Sequence, residues 1–156
     1  MLSLRAHHIL CLVIPDSDDF RSKAKEMFRK KGYTSNYINA YMKVFEIARA
    51  NENEEIKILN SPKGDDTCPH CSNYKEGTCT SPQAAIFTGW DEEILTIFGL
   101  SVGDTLKVRD LRKLVKEKVD PQNMPGVCKG CLFDLNRECG EILIRMREMK
   151  GCSRPS

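Results

Sequence analysis

The chain has 156 residues, 40% hydrophobic and 29% charged, which suits one globular domain (1–156) with a core of ordinary size. Its 24 basic and 22 acidic residues leave a net charge of +2, a balance that argues against a protein living on nucleic acid. No apolar stretch is long enough to span a bilayer, and residues 1–14 lack a signal-peptide cleavage pattern, so the expected location is cytoplasmic with no membrane attachment.

Leu4 to Ile14 is apolar around His7 and His8, and periodicity does not separate a buried strand from a short helix there. From Asp16 to Lys31 the pattern predicts a helix capped by Asp18, with Phe20, Ala24, Met27 and Phe28 on its apolar stripe. Ser35 is expected to cap a longer helix with Ile38, Met42 and Phe45 inward, flanked by Tyr41 and Ala48, and Asn51 ends it. Glu55 to Asn60 alternates as a short strand, and Ser61 to Asp66 is a turn-rich loop. Cys79 falls on a polar, glycine-containing loop.

Farther on, Asp91 is expected to cap a short helix from Glu92 to Phe98, stopped by Gly99, with Phe87 and Trp90 packed into the core. Thr105 to Val108 forms a second strand that pairs with the first, and Asp110 opens a helix with Leu111, Leu114 and Val115 inward. The run Lys107, Arg109, Arg112, Lys113, Lys116 and Lys118 reads as a solvated helix face. Pro121 and Pro125 break the pattern, Glu141 to Met149 is a last helix, and residues 151–156 fray. The expected fold is α+β: a mainly helical single domain with a small two-stranded sheet and cysteine-rich metal-binding loops.

The strongest chemical signal is a repeated spacing. Cys68-Pro-His-Cys71 is followed by Cys79, and Cys128-Lys-Gly-Cys131 by Cys139, so both triplets read C-x2-C-x7-C. A C-x2-C turn curls its backbone around one ion and points two thiolates at it. Without a secretory signature, thiolates kept for a ligand are favoured over disulfides. Each triplet is one ligand short of four. Cys11 and Cys152 bring the total to eight, which permits two separate four-cysteine sites, one cluster shared between the triplets and Cys11, or a cluster with one open iron.

The pairs lie too far apart for a simple zinc ribbon, and the spacing is not that of the bacterial ferredoxin run. Ligand count and softness favour an iron–sulfur cluster of the 4Fe–4S type, one or two per chain, over zinc. Buried structural cysteine is the bland alternative; it suits Cys11 and Cys152 and fits the triplets badly. His7 and His8 are candidates for an additional ligand or a proton relay, against the plain reading of core histidines bonded to backbone. His70, inside the first turn, is expected to be exposed.

Several of these segments resemble a prokaryotic family, domain of unknown function 1284. The matching pieces are Arg5-Ala-His-His-Ile-Leu-Cys-Leu12, Lys31-Gly-Tyr33, Asp65-Asp66, Leu100-Ser-Val-Gly-Asp104 and Cys128-Lys-Gly-Cys131-Leu-Phe133. The resemblance implies a small cytoplasmic protein that binds metal or an iron–sulfur cluster, with His7, His8 and Cys11 at the site. Ile14 to Arg29 is longer than usual for the family, and a cysteine at the place of Cys71 is not general there. That favours one shared cluster including Cys11.

The resulting ligand pool is Cys11, Cys68, Cys71, Cys79, Cys128, Cys131 and Cys139, with Cys68, Cys79, Cys128 and Cys131 expected to converge on one point. The role would be redox chemistry, electron transfer or sulfur-related chemistry with a redox or protein partner. The alternative is a zinc-binding interaction module touching RNA through the basic run. A zinc hydrolase built on the histidines ranks last, because no general base lies near them in sequence.

Overall fold

The computed structural model describes residues 1–14, 18–59, 64–131 and 136–148. The N-terminal segment is strand and helix in succession: β1 (Leu2–Arg5), a single 3-10 turn (Ala6–His8) and α1 (Ile9–Val13). β1 pairs in parallel with β2 (Glu55–Leu59), setting Leu2 opposite Ile56 and Leu4 opposite Ile58. Parallel strands need a long crossover, here supplied by α1, α2 (Asp18–Lys30) and α3 (Ser35–Ala50). The other edge of β2 pairs antiparallel with β5 (Thr105–Lys107), Ile56 opposite Leu106.

The main sheet therefore has three strands in the order β1-β2-β5, not two. The expected pair is present; β1 is the addition, because its partner lies some fifty residues away and leaves no local signal. A second, two-stranded hairpin joins β3 (Tyr74–Lys75) to β4 (Thr78–Cys79), so Cys79 sits on a strand and not on a loop. The fold is α+β and mainly helical, with seven α-helices among the described residues.

The helices follow their apolar stripes. α2 buries Phe20, Ala24 and Phe28, with Met27 partly covered. α3 buries Ile38, Met42 and Phe45 as expected, together with Tyr37 and Tyr41, and closes at Asn51. Its cap is Thr34, one residue before Ser35: the Thr34 hydroxyl accepts the Tyr37 N–H at 3.3 Å. α5 (Val108–Lys118) turns Val108, Leu111 and Val115 inward and leaves Arg109, Lys113 and Lys118 exposed. Its basic run is a solvated face, pinned at Arg112 by Glu52 at 3.0 Å.

α4 (Ala84–Phe98) is the largest departure from expectation. It starts eight residues before Glu92, and Asp91 is not its cap but lies fully buried in its interior. Gly99 ends it in the left-handed conformation, with the Leu100 N–H returning to the Leu95 carbonyl at 3.0 Å. A short helix, α6 (Gly126–Lys129), carries Cys128, and α7 (Asn136–Glu148) begins early enough to include Cys139. The Asp18 side chain, residues 60–63 of the turn-rich loop, and residues 149–156 with Cys152 lie outside the described residues.

Candidate functional site

Three pieces of chain meet where β1 ends. Asp65 and Asp66 run along the open edge of β1, with the Ser3 N–H donating to Asp66 Oδ2 at 2.8 Å and the Arg5 N–H to Asp65 Oδ2 at 2.9 Å. α4 packs against the 3-10 turn and delivers Asp91. The turn sets His7 and His8 between these two carboxylates. A cleft of about 180 Å³ opens there, and Cys11, Cys68, Cys71, Cys79 and Cys131 all line it with both histidines.

Asp91 takes four bonds: Arg5 Nε at 2.8 Å, Arg5 Nη2 at 2.6 Å, the His7 N–H at 2.9 Å and His7 Nδ1 at 2.7 Å. Asp65 binds His8 Nδ1 at 2.6 Å and accepts the Thr67 N–H and hydroxyl at 2.9 and 2.7 Å and the Cys68 thiol at 3.5 Å. Burial opposes the charge of both acids, but His8 and the hydrogen bonds hold Asp65 well below the usual carboxylate range. His7 and Arg5 do the same for Asp91. Two carboxylates thus lie beside the histidines that look unassisted in sequence, which removes that objection to acid–base chemistry.

His7 behaves differently from a surface histidine. Burial, followed by the charge of His8, lowers its pKa from 6.5 to about 4 against the pull of Asp91. The unfolded chain then binds the extra proton between those values, so this contribution is fully present above pH 6.5 and lost as pH falls toward 4. The expected loss is about 1.4 kcal/mol per pH unit within that window. Urea midpoints of the metal-free protein at several pH values would read it, and a flat profile would mean that His7 is not held neutral.

The seven described cysteines are free, and they fall into two groups; five of them line the cleft, while Cys128 and Cys139 do not. Cys11 on α1 is close enough to feel the charges of Cys128, Cys131 and Cys139, and Tyr41 hydrogen-bonds to it. Burial, then these neighbours, raises Cys11 well above the ordinary thiol value, and burial pushes Cys128 and Cys139 up to about 12. A cation bound here would have to displace protons. Glu93 on α4 positions α6 for this group by accepting the Gly126 N–H at 2.9 Å.

The second group is the first triplet. Cys68 turns toward Asp65, and burial followed by that carboxylate pushes its thiol up to about 12. Cys71 and Cys79 act on Tyr33. The expected meeting of Cys68, Cys79, Cys128 and Cys131 at one point is not seen: among the described residues no three such side chains converge as a metal site. His70 is exposed, as expected.

Gly64 makes room for Cys68 in the second group. It holds φ +81°, and a Cβ there would lie 2.6 Å from Cys68 Cβ and 3.0 Å from its Sγ. Gly64→Ala is expected to cost about 1–3 kcal/mol through strain and overpacking. Gly77→Ala, at φ +75° with nothing within 4 Å, isolates the backbone share. Equal losses in denaturant melts of the two variants would remove the packing argument.

The sequence profile described as "Protein of unknown function (DUF1284)" matches residues 32–136. The chain belongs to this family. The match takes in both C-x2-C turns and Asp65, Asp91 and Cys79, while β1, His7, His8 and Cys11 precede it. No curated protein and no solved structure matches the chain. Among the described residues no helix is long and apolar enough to cross a membrane.

The residues that sequence reasoning missed in this family member are Asp65, Asp91 and the cleft tyrosines. Tyr33, Tyr37 and Tyr41 recur every four residues, a helix-face spacing that was available as a signal. Tyr33 stacks on Tyr37 with centroids 4.9 Å apart, and Tyr41 meets the His8 ring at 5.9 Å. Phe87 and Trp90 are half-buried on the cleft wall rather than deep in the core, with Phe87 stacked on His7 at 5.7 Å.

Proposed function

We propose that this protein is an iron–sulfur protein whose cluster is held by Cys11, Cys128, Cys131 and Cys139. What supports the reading is that buried Cys11 lies within electrostatic reach of Cys128, Cys131 and Cys139, which makes it the candidate for the fourth thiol that the motif lacks. The chemistry of the donor set suits the group, four free thiols being soft ligands, and because no three of the described side chains converge as they stand, they would have to draw together on binding. A bound cluster supplies one-electron transfer. Around it, the Tyr41 hydroxyl bonds to Cys11, burial keeps that hydroxyl protonated, and a hydrogen bond to a ligand sulfur helps set a cluster's potential. Cys68, Cys71 and Cys79 are the pool for a second site on the same cleft. The role is redox chemistry, electron transfer or sulfur-related chemistry, in the cytoplasm, with a protein or small-molecule redox partner.

Four thiolates also suit a structural zinc ion, and one preparation decides between the two. The protein is purified without oxygen, its visible spectrum is recorded, and iron, acid-labile sulfide and zinc are assayed on the same sample. Brown protein with iron and sulfide in equal amounts is the expected result. Colourless protein with stoichiometric zinc would replace the redox role with a structural one and point the work toward binding partners.

A further inference from the structure

The cleft contains machinery that metal binding by the cysteines does not use. Two buried carboxylates each hold a histidine by Nδ1, Asp91 taking His7 at 2.7 Å and Asp65 taking His8 at 2.6 Å. A ring that gives its Nδ1–H to a carboxylate keeps the Nε2 lone pair for a third group. Both rings line the cleft, their centroids 4.2 Å apart. A histidine needed only for packing would be satisfied by a backbone carbonyl, without the desolvation that a buried carboxylate brings.

The two pairs are not equivalent. Asp91 also binds the Arg5 guanidinium through two bonds, so its charge is already matched. Asp65 takes its other bonds from uncharged donors: the Arg5 and Thr67 N–H groups, the Thr67 hydroxyl and the Cys68 thiol. His8 therefore shares Asp65 with no cationic side chain among these hydrogen-bond donors, whereas His7 shares Asp91 with Arg5.

The cleft also has a size and a lining. Its volume of about 180 Å³ is close to the roughly 150 Å³ that accommodates a benzene ring. Tyr37 and Tyr41 from α3 and Phe87 and Trp90 from α4 give it aromatic walls, which suit a flat ring. Asn73, Ser81 and Gln83 add hydrogen-bonding groups to that lining.

The geometry points to a general acid–base site for a planar, single-ring molecule bearing a weakly acidic O–H or N–H, with His8 as the base and His7 as a hydrogen-bond acceptor beside it. In the step, the substrate O–H or N–H bond breaks and the Nε2–H bond of His8 forms. The bonding pair stays on the substrate atom, and Asp65 balances the imidazolium. The reverse step returns the proton, and no oxidant or reductant enters. Cys11 and Cys131 line the same cleft, so a cluster bound there would narrow the space left beside His8.

The test uses 4-nitrophenol, titrated into the protein as purified at neutral pH, with the phenolate absorbance of the free probe subtracted. Trp90 is the only tryptophan in the chain and lines the cleft, so its fluorescence reports occupancy. The expected result is quenching of Trp90 with a matching rise of the yellow phenolate in the difference spectrum. 4-Nitroanisole, which has no acidic proton, should quench without colour. His8→Gln should retain quenching and lose phenolate formation by at least about tenfold. Absence of quenching, quenching without ionisation in the unaltered protein, or equal ionisation in His8→Gln each overturns the proposal. If His8→Gln does not fold, the unaltered protein with the two probes decides. Metal content is assayed on the same sample, so failure of the cluster reading and failure of this one are told apart.

Discussion

Replacing Asp91 by alanine is expected to destabilise the metal-free protein by about 4 kcal/mol or more. The carboxylate is fully buried and receives four bonds, and the Arg5 it neutralises is only 2% exposed. Removing it leaves a buried guanidinium without its counter-charge, together with the N–H and the ring Nδ1 of His7. Breaking one side of a buried pair costs about 3–5 kcal/mol, and an orphaned N–H adds about 1–3, though the two do not simply sum. Against a typical total of about 5–15 kcal/mol, such a loss takes a large share of the folded population. The double variant Arg5→Met with Asp91→Leu separates charge from packing. It removes both charges at similar volume and should recover most of the loss, since apolar replacement of a buried pair is often neutral. Urea denaturation of the three proteins reads this. A loss below about 1 kcal/mol for Asp91→Ala would show the pair to be solvated.

The same residue shows where sequence reading stopped. Asp91 follows Trp90 and precedes an apolar helical run, so by local rules it is a cap. Gly89, a poor helix former, strengthens the break at that point. What overrides both is tertiary: Arg5 and His7, more than eighty residues earlier, need a carboxylate at that place on α4. Asp65 was legible only as part of a resemblance, because its partners Arg5 and His8 lie about sixty residues away. β1 has the same history, since a parallel partner leaves no hairpin signal. By contrast, the buried face of α3 and the strand at Glu55 follow from periods of 3.6 and 2 and were readable directly.

The cysteines lie between these cases. The proposal that they form a ligand pool rests on spacing, which is local. Their grouping depends on how α1, α4 and α6 pack. Trp90 lies against Gly130 inside the second C-x2-C turn, where an added Cβ would meet the indole Cζ2 at 3.0 Å. Glu93 holds α6 by its first N–H. One helix, α4, therefore carries the anchor of the histidine turn and the anchors of the second triplet.

Cys11→Ser is expected to empty the proposed Cys11 site, with the iron and sulfide bound by that site falling by about tenfold or more. Loss of a partner that merely supports a ligand costs about 10–100-fold in metal affinity, and a direct ligand contributes at least as much. Cys79→Ser should leave most of the iron in place if the four thiols around Cys11 form their own site. Cys79 acts on Tyr33 beside Cys71, whereas the neighbours of Cys11 are Cys128, Cys131 and Cys139. A single cluster shared by the two triplets predicts that both variants lose iron alike. Two separate sites predict that Cys11→Ser and Cys79→Ser each remove only their own share, so that the double variant is emptied. Iron and sulfide assays on protein purified without oxygen distinguish these outcomes. Equal and complete loss in both single variants would reunite the triplets and overturn the grouping drawn from Cys11.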